Sequence, residues 1–73
     1  MAIDPYEPEL AKRKKAFQIA YKQLSELMNL NVGLANNNKA AEFVENFRKT
    51  EEALRDYEHT GRELSEWLSQ KNQ

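Results

Sequence analysis

The chain contains no cysteine and a single histidine. Without cysteine it has neither disulfides nor thiolate metal ligands, and one histidine cannot close a protein-only zinc site, which needs four ligands. A chain of 73 residues buries only about 60% of the surface that its unfolded form exposes. Small domains of this kind gain stability from disulfides, metals or association with another chain. The sequence therefore predicts no cofactor and favours association.

An excess of charge of one sign and long apolar runs are also missing. Eleven basic residues against twelve acidic residues give a net charge of −1, whereas nucleic-acid-binding domains normally carry a clear positive excess. No apolar run approaches the roughly 20 residues of a membrane span, and no signal peptide begins the chain. We expect a cytoplasmic protein without a membrane partner or a small-molecule substrate, and the charge balance disfavours nucleic acid as a partner.

Glycine and proline are scarce, with two of each, and they divide the chain. Pro8 suits the first position of a helix. Gly33 can adopt the left-handed conformation that ends a helix, with Leu34 folding back on the preceding turn. The asparagines that follow favour turns and helix N-termini. The predicted segments are an N-terminal arm over 1–7, a helical hairpin over 8–69 (helix 1 at about 8–32, a loop at 33–38 and helix 2 at about 38–69), and a frayed tail over 70–73.

Apolar residues recur with alternating spacings of three and four, which is typical of a coiled-coil seam. Because the predicted loop is short, the two helices must run antiparallel and side by side. The predicted fold class is therefore all-α, an antiparallel two-helix hairpin resembling a coiled coil. In helix 1, Leu10, Phe17 and Leu24 occupy heptad position a, and Ala20 and Leu27 occupy d; in helix 2, Ala40, Phe47, Leu54, Gly61 and Leu68 occupy a, and Phe43, Thr50, Tyr57 and Leu64 occupy d.

Two registers of the helices satisfy this pattern. The first sets Phe17 against Tyr57 and places Arg13 over Gly61, where a missing side chain leaves space. The second is slipped by one heptad and matches apolar residues nearly as well. We favour the first.

Several apolar residues fall outside the predicted seam. Burying a large apolar side chain contributes about 1.5–3 kcal/mol, so leaving several of them in water forgoes much of the stability of a small domain. We predict that they contact a partner, either a second hairpin in a twofold four-helix bundle or a different protein. The alternative is that they are ordinary scattered surface residues. The predicted interface residues are Ala16, Ile19, Leu30, Ala53, Thr60, Leu64 and Trp67.

Trp67 has a second interpretation. It lies outside the predicted seam near the end of the chain, and tryptophan is common at interface hot spots. It could equally pack locally on the N-terminal arm, through Ile3 or Tyr6.

A basic cluster, Lys12, Arg13, Lys14 and Lys15, could contact phosphates or an acidic partner. Four consecutive helical residues point in four directions, however, and acidic residues of helix 2 such as Glu58 compete for Lys14. The predicted role of this cluster is therefore a solvated or internally paired charge run.

No arrangement of side chains predicts catalysis. His59 has Asp56 three residues before it and Glu63 four residues after it, but all three fall on the face away from the seam, where nothing excludes water. No serine has a histidine at a suitable position, and no glycine-rich phosphate loop occurs. The predicted function is a non-catalytic protein–protein interaction or assembly module. The alternative is a small dimeric nucleic-acid-associated regulator that uses the basic cluster.

Overall fold

The computed structural model describes residues 6–71, which form two helices, α1 over Tyr6–Asn36 and α2 over Ala40–Lys71. The helices pack against each other as an antiparallel hairpin whose extents are 58 × 23 × 14 Å. The predicted all-α hairpin is thereby confirmed for this part of the chain.

Helix α1 begins earlier than predicted. Tyr6 and Glu7, assigned to the N-terminal arm from the sequence, are helical, and Pro8 lies within the first turn. Proline is tolerated there because the first N–H groups of a helix have no intrahelical acceptor. Glu7 and Glu9 place negative charge at the positive end of the helix dipole. The rest of the predicted arm, 1–5, lies outside the described residues.

The turn between the helices differs from the prediction. Gly33 has no positive φ; the left-handed residue is Asn38, with φ 57°. The amide of Lys39 donates to the carbonyl of Leu34 (2.9 Å) and the amide of Asn38 to that of Ala35 (3.2 Å), the two hydrogen bonds of a Schellman cap. Asparagine tolerates this conformation, so α1 runs four residues beyond the predicted end at position 32.

Both ends of α2 also differ slightly from the prediction. It begins at Ala40, two residues later than predicted, and continues to Lys71, two residues beyond the predicted end. Of the predicted frayed tail, 70–71 are helical and 72–73 lie outside the described residues.

The seam of α1 follows the predicted heptad. The side chains at positions a and d are buried or half-buried, and the pattern extends at both ends of the predicted set. The extensions include a buried polar residue, Asn31, at position a. The buried and half-buried a and d residues of α1 are Tyr6, Leu10, Arg13, Phe17, Ala20, Leu24, Leu27, Asn31 and Leu34.

The seam of α2 is rotated from the predicted one. Phe47 and Leu54, predicted at the central a positions, are 46% and 43% exposed. The buried residues of α2 are Asn46, Thr50 and Ala53, which fall at positions g and d. The prediction of an a/d seam was therefore wrong for the first part of α2, where position g replaces position a beside position d; nearer the other end, the a residues Gly61 and Leu68 are half-buried.

A buried hydrogen-bond network explains this rotation. The side-chain amide of Asn46 donates to Asn31 Oδ1 (2.6 Å) and to the carbonyl of Leu27 (3.1 Å). Asn31 Nδ2 donates to Thr50 Oγ1 (2.8 Å), and that hydroxyl donates to the carbonyl of Asn46 (2.9 Å). Burying an amide is costly unless it is hydrogen-bonded, and within the described residues no buried side-chain N or O lacks a partner. The network therefore turns the g/d side of α2 toward α1.

The register of the two helices is the first of the two predicted. The rings of Phe17 and Tyr57 lie 5.1 Å apart, which the slipped register would not allow. Gly61 lies against Phe17 and not beneath Arg13: a Cβ at Gly61 would stand 3.0 Å from Phe17 Cε1. The missing side chain thus makes room for an aromatic ring.

Little apolar surface is buried between the helices. Among the described residues, the buried apolar side chains are Ala20, Leu24 and Ala53, and no large side chain is fully buried. Two helices in a single layer cannot enclose a large residue from all sides, so the seam is narrow.

The two glycines give a paired test of stability. Gly33→Ala should raise the free energy of unfolding by about 0.5–1 kcal/mol, because alanine favours a helix interior and nothing lies within 4 Å of the added Cβ. Gly61→Ala should give less stability than Gly33→Ala, because Phe17 must move to admit the methyl group. Urea denaturation followed by circular dichroism measures both, and equal gains would contradict the packing of Phe17 on Gly61.

The polar network gives a second stability prediction. Asn46→Ala removes both donated bonds and leaves Asn31 Oδ1 buried without its donor, which costs about 1–3 kcal/mol. Asn29→Ala, at an exposed position of α1, is the control for the change in helix propensity. Urea denaturation at one protein concentration should show Asn46→Ala less stable than the parent chain and Asn29→Ala at least as stable. Equal stability of the two variants would contradict an energetic role for the network.

Candidate interaction surfaces

The predicted interface residues do not share one surface. In α2, Ala53 is buried in the seam, and Thr60, Leu64 and Trp67 are half-buried on the side that faces α1. Ala53 is therefore not available to a partner. The Thr60 hydroxyl donates to main-chain carbonyls of its own helix, to that of Asp56 at 2.9 Å. In α1, the predicted residues Ala16, Ile19 and Leu30 are all exposed.

Charged side chains are concentrated on one flank of the seam, the flank on which the exposed α1 residues Ala16 and Leu30 lie. An open groove runs along it, with Gln23 and Leu30 on the α1 side and Lys49 and Asp56 on the α2 side. Closer to the ends of α1 and α2 opposite the turn, Ala16 and Glu63 line the same flank. We call this flank, defined by Ala16, Gln23, Leu30, Lys49, Asp56 and Glu63, the charged face.

The other flank of the seam is apolar near the turn. On α1 this flank consists of heptad position e and, further from the seam, position b. On α2 it consists of position a and, further from the seam, position e. On each helix these positions lie opposite the charged face. Its large side chains are 43–61% exposed. Of these, Phe47 stacks on Phe43, with ring centroids 5.9 Å apart. We call this flank the apolar face and define it by Tyr21, Met28, Val32, Val44, Phe47 and Leu54.

Sequence reasoning missed this surface for an identifiable reason. In the sequence, Tyr21 and Met28 extend the apolar stripe of α1 on one side of positions a and d, and this was a signal. Phe47 and Leu54, however, were assigned to the core, because an assignment based on hydrophobicity places large apolar residues inside in preference to a polar residue such as Asn46. Only the pairing of Asn46 with Asn31 shows that the polar residue lies inside.

An aromatic cluster closes the end of the hairpin opposite the turn. Tyr6 and Trp67 stack with ring centroids 4.9 Å apart and an angle of 23° between their planes. The guanidinium of Arg13 lies 5.5 Å from the centroid of the Trp67 ring, a cation–π distance, and its Nε donates to Glu9 Oε1 at 2.9 Å. Of the two interpretations of Trp67, local packing on Tyr6 is therefore confirmed; Ile3 lies outside the described residues.

The basic cluster is divided between packing and solvent. Arg13 is half-buried in the aromatic cluster, whereas Lys12, Lys14 and Lys15 are exposed. The ion pairs found over residues 6–71 join Glu9 to Arg13 and His59 to Glu63, so Lys14 makes none with the acidic residues of α2. The cluster does not form a single basic surface.

The histidine lies in solvent. His59 Nε2 is 3.0 Å from Glu63 Oε1, and both side chains are more than half exposed. No group of three or more potential metal ligands occurs between residues 6 and 71. In the same range, neither helix combines the length and the apolar character needed to cross a bilayer.

Comparison of the chain with protein-family models, with curated proteins and with solved structures found no significant match.

The aromatic cluster can be tested with the intrinsic fluorescence of Trp67, the only tryptophan in the chain. Tyr6→Ala removes the stacked ring, so Trp67 emission should shift to longer wavelength and acrylamide should quench it more strongly. Tyr21→Ala is the control, because its nearest aromatic ring is that of Tyr57, at 6.2 Å. If Tyr6→Ala leaves the emission and quenching of Trp67 unchanged, the stacking is not present in solution.

Proposed function

We propose that this chain is a non-catalytic protein–protein interaction or assembly module and that its contact surface is the apolar face. The observation that carries the proposal is the contrast between the inside and the outside of the hairpin. Six large apolar side chains of the apolar face are exposed, whereas the buried side chains of the seam, apart from Leu24, are small or polar, such as Ala20 and Asn46.

The distribution of these residues supports a contact surface over random surface exposure. Isolated apolar residues on a surface are normal, but contiguous apolar patches commonly mark binding sites. Here the residues come from both helices, lie on the same side of the seam and are concentrated near the turn. The charged face at the same levels carries Lys49 and Asp56 beside Leu30, so large apolar side chains are more concentrated on the apolar face.

The energetics of a small hairpin support the same proposal. Each large apolar side chain that moves from water into an interface contributes up to about 1.5–3 kcal/mol. A narrow seam supplies few such contributions within one chain, so association offsets the small core. The absence of cysteine is consistent with action in a reducing compartment such as the cytoplasm.

Site-specific photocrosslinking in cells of the native host tests this function. A photoreactive phenylalanine analogue replaces Phe47 on the apolar face, and in a matched variant it replaces Leu30, which is similarly exposed on the charged face. Illumination should give discrete polypeptide adducts, identified by mass spectrometry, from position 47 and few from position 30. No adduct from position 47, or equal adducts from both, would contradict the proposed surface.

A further inference from the structure

The apolar face lies on a broad side of the hairpin, whose extents are 58 by 23 Å. A second hairpin has the same extents and can lie along this side. The apolar face combines one flank of α1 with one flank of α2, so its exposed side chains come from two parallel lines. Another two-helix layer can cover both lines at once.

We propose that the apolar face binds a second copy of this chain, packed face to face with both turns at the same end. The inference rests on the proposed function and specifies its partner. It also moves the twofold contact from the residues predicted from the sequence to the apolar face.

The first argument is the match of apolar residues along the hairpin. The contacts of Phe17 with Tyr57 and of Asn31 with Asn46 set the levels of the two helices. A twofold axis parallel to the helices lays α1 of one copy over α2 of the other at the same level. Tyr21 then faces the partner's Leu54, and Met28 faces the partner's Phe47.

The second argument is charge complementarity at the edge of this face. In the same arrangement Val32 lies beside the partner's Val44. Lys14 lies about one helical turn from the level of the partner's Glu58, which is within reach of a lysine side chain. Within the described residues, neither Lys14 nor Glu58 makes an ion pair inside its own chain. Each dimer therefore gains two symmetric pairs of opposite charge.

The opposite orientation, with the turns at different ends, is less favourable. In this orientation the twofold axis is perpendicular to the helices. If Phe47 then packs over the partner's Leu54, Glu51 faces the partner's Glu51. In that arrangement Val44 lies beside the partner's Glu58. Like charges placed together and a carboxylate placed against an apolar side chain both oppose association.

Sedimentation equilibrium of the purified chain tests the self-association. The parent chain should be a dimer at micromolar concentration. Leu54→Glu places a charge on the apolar face and should make the chain monomeric, whereas Leu30→Glu should leave the dimer intact. These two leucines are a matched pair, 43% and 51% exposed on opposite faces. Circular dichroism checks that each variant remains helical.

Charge reversal at the edge tests the orientation. Lys14→Glu and Glu58→Lys should each weaken the dimer by about tenfold at low salt, because each turns two attractive pairs into repulsive ones. The double variant should recover most of the parent affinity. Both positions are exposed, so neither change disturbs the seam. A double variant weaker than either single variant would overturn the same-end orientation.

The outcomes separate this inference from the proposed function. A helical parent chain that stays monomeric at micromolar concentration, or a dimer that survives Leu54→Glu and dissociates with Leu30→Glu, overturns the self-association through the apolar face. Crosslinks from position 47 to a different polypeptide, with a monomeric purified chain, would overturn the inference and leave the interaction function standing. No crosslink and no dimer would remove both.

Discussion

Three polar side chains inside the seam determine which residues of α2 meet α1. Asn31, Asn46 and Thr50 satisfy one another and the Leu27 carbonyl, and this arrangement is possible only when the g and d positions of α2 face inward. A rotation that brought Phe47 inside would expose Asn46 to solvent and leave Asn31 buried without its donor. A buried asparagine is a known device for fixing the pairing of coiled-coil helices at some cost in stability. The residues that α2 contributes to both flanks follow from this one choice.

As a result, the pairing of the two helices is specific, but the apolar core between them is small. Alanine, asparagine and threonine let the helices approach, yet they bury little apolar area. The aromatic cluster of Tyr6, Trp67 and Arg13 at one end and the Schellman cap at the other hold the ends together, while large apolar residues such as Leu54 remain outside. This division separates the groups that define the pairing of the helices from those available for association.

The sequence predicted the fold class and the inward face of α1 well, but it predicted the inward face of α2 poorly. In α1 the large residues at a and d, such as Phe17 and Leu24, are also the inward ones, so hydrophobic periodicity gave the correct seam and, with Tyr57, the correct register. In α2 the same rule selected Phe47, because periodicity ranks residues by size and hydropathy and cannot recognise a polar side chain that has a partner on another helix. Because of that rotation Ala53, predicted at the interface, is buried in the seam. Gly33 misled for a related reason: glycine permits a left-handed cap, but Asn38 fulfils that role five residues further on.

The shape of the hairpin also implies an order in which it forms. The asparagine network joins residues separated by fifteen to nineteen positions, whereas the contact of Tyr6 with Trp67 joins residues from nearly opposite ends of the sequence. Closing the shorter loop loses less chain entropy, so we expect the half of the hairpin near the turn to form first. Pairing of the helices then extends from the turn toward the aromatic cluster. Nucleation would fix the rotation of α2 before most apolar contacts exist, and a chain that began with the wrong helix face inward would have to reopen at the turn to correct it.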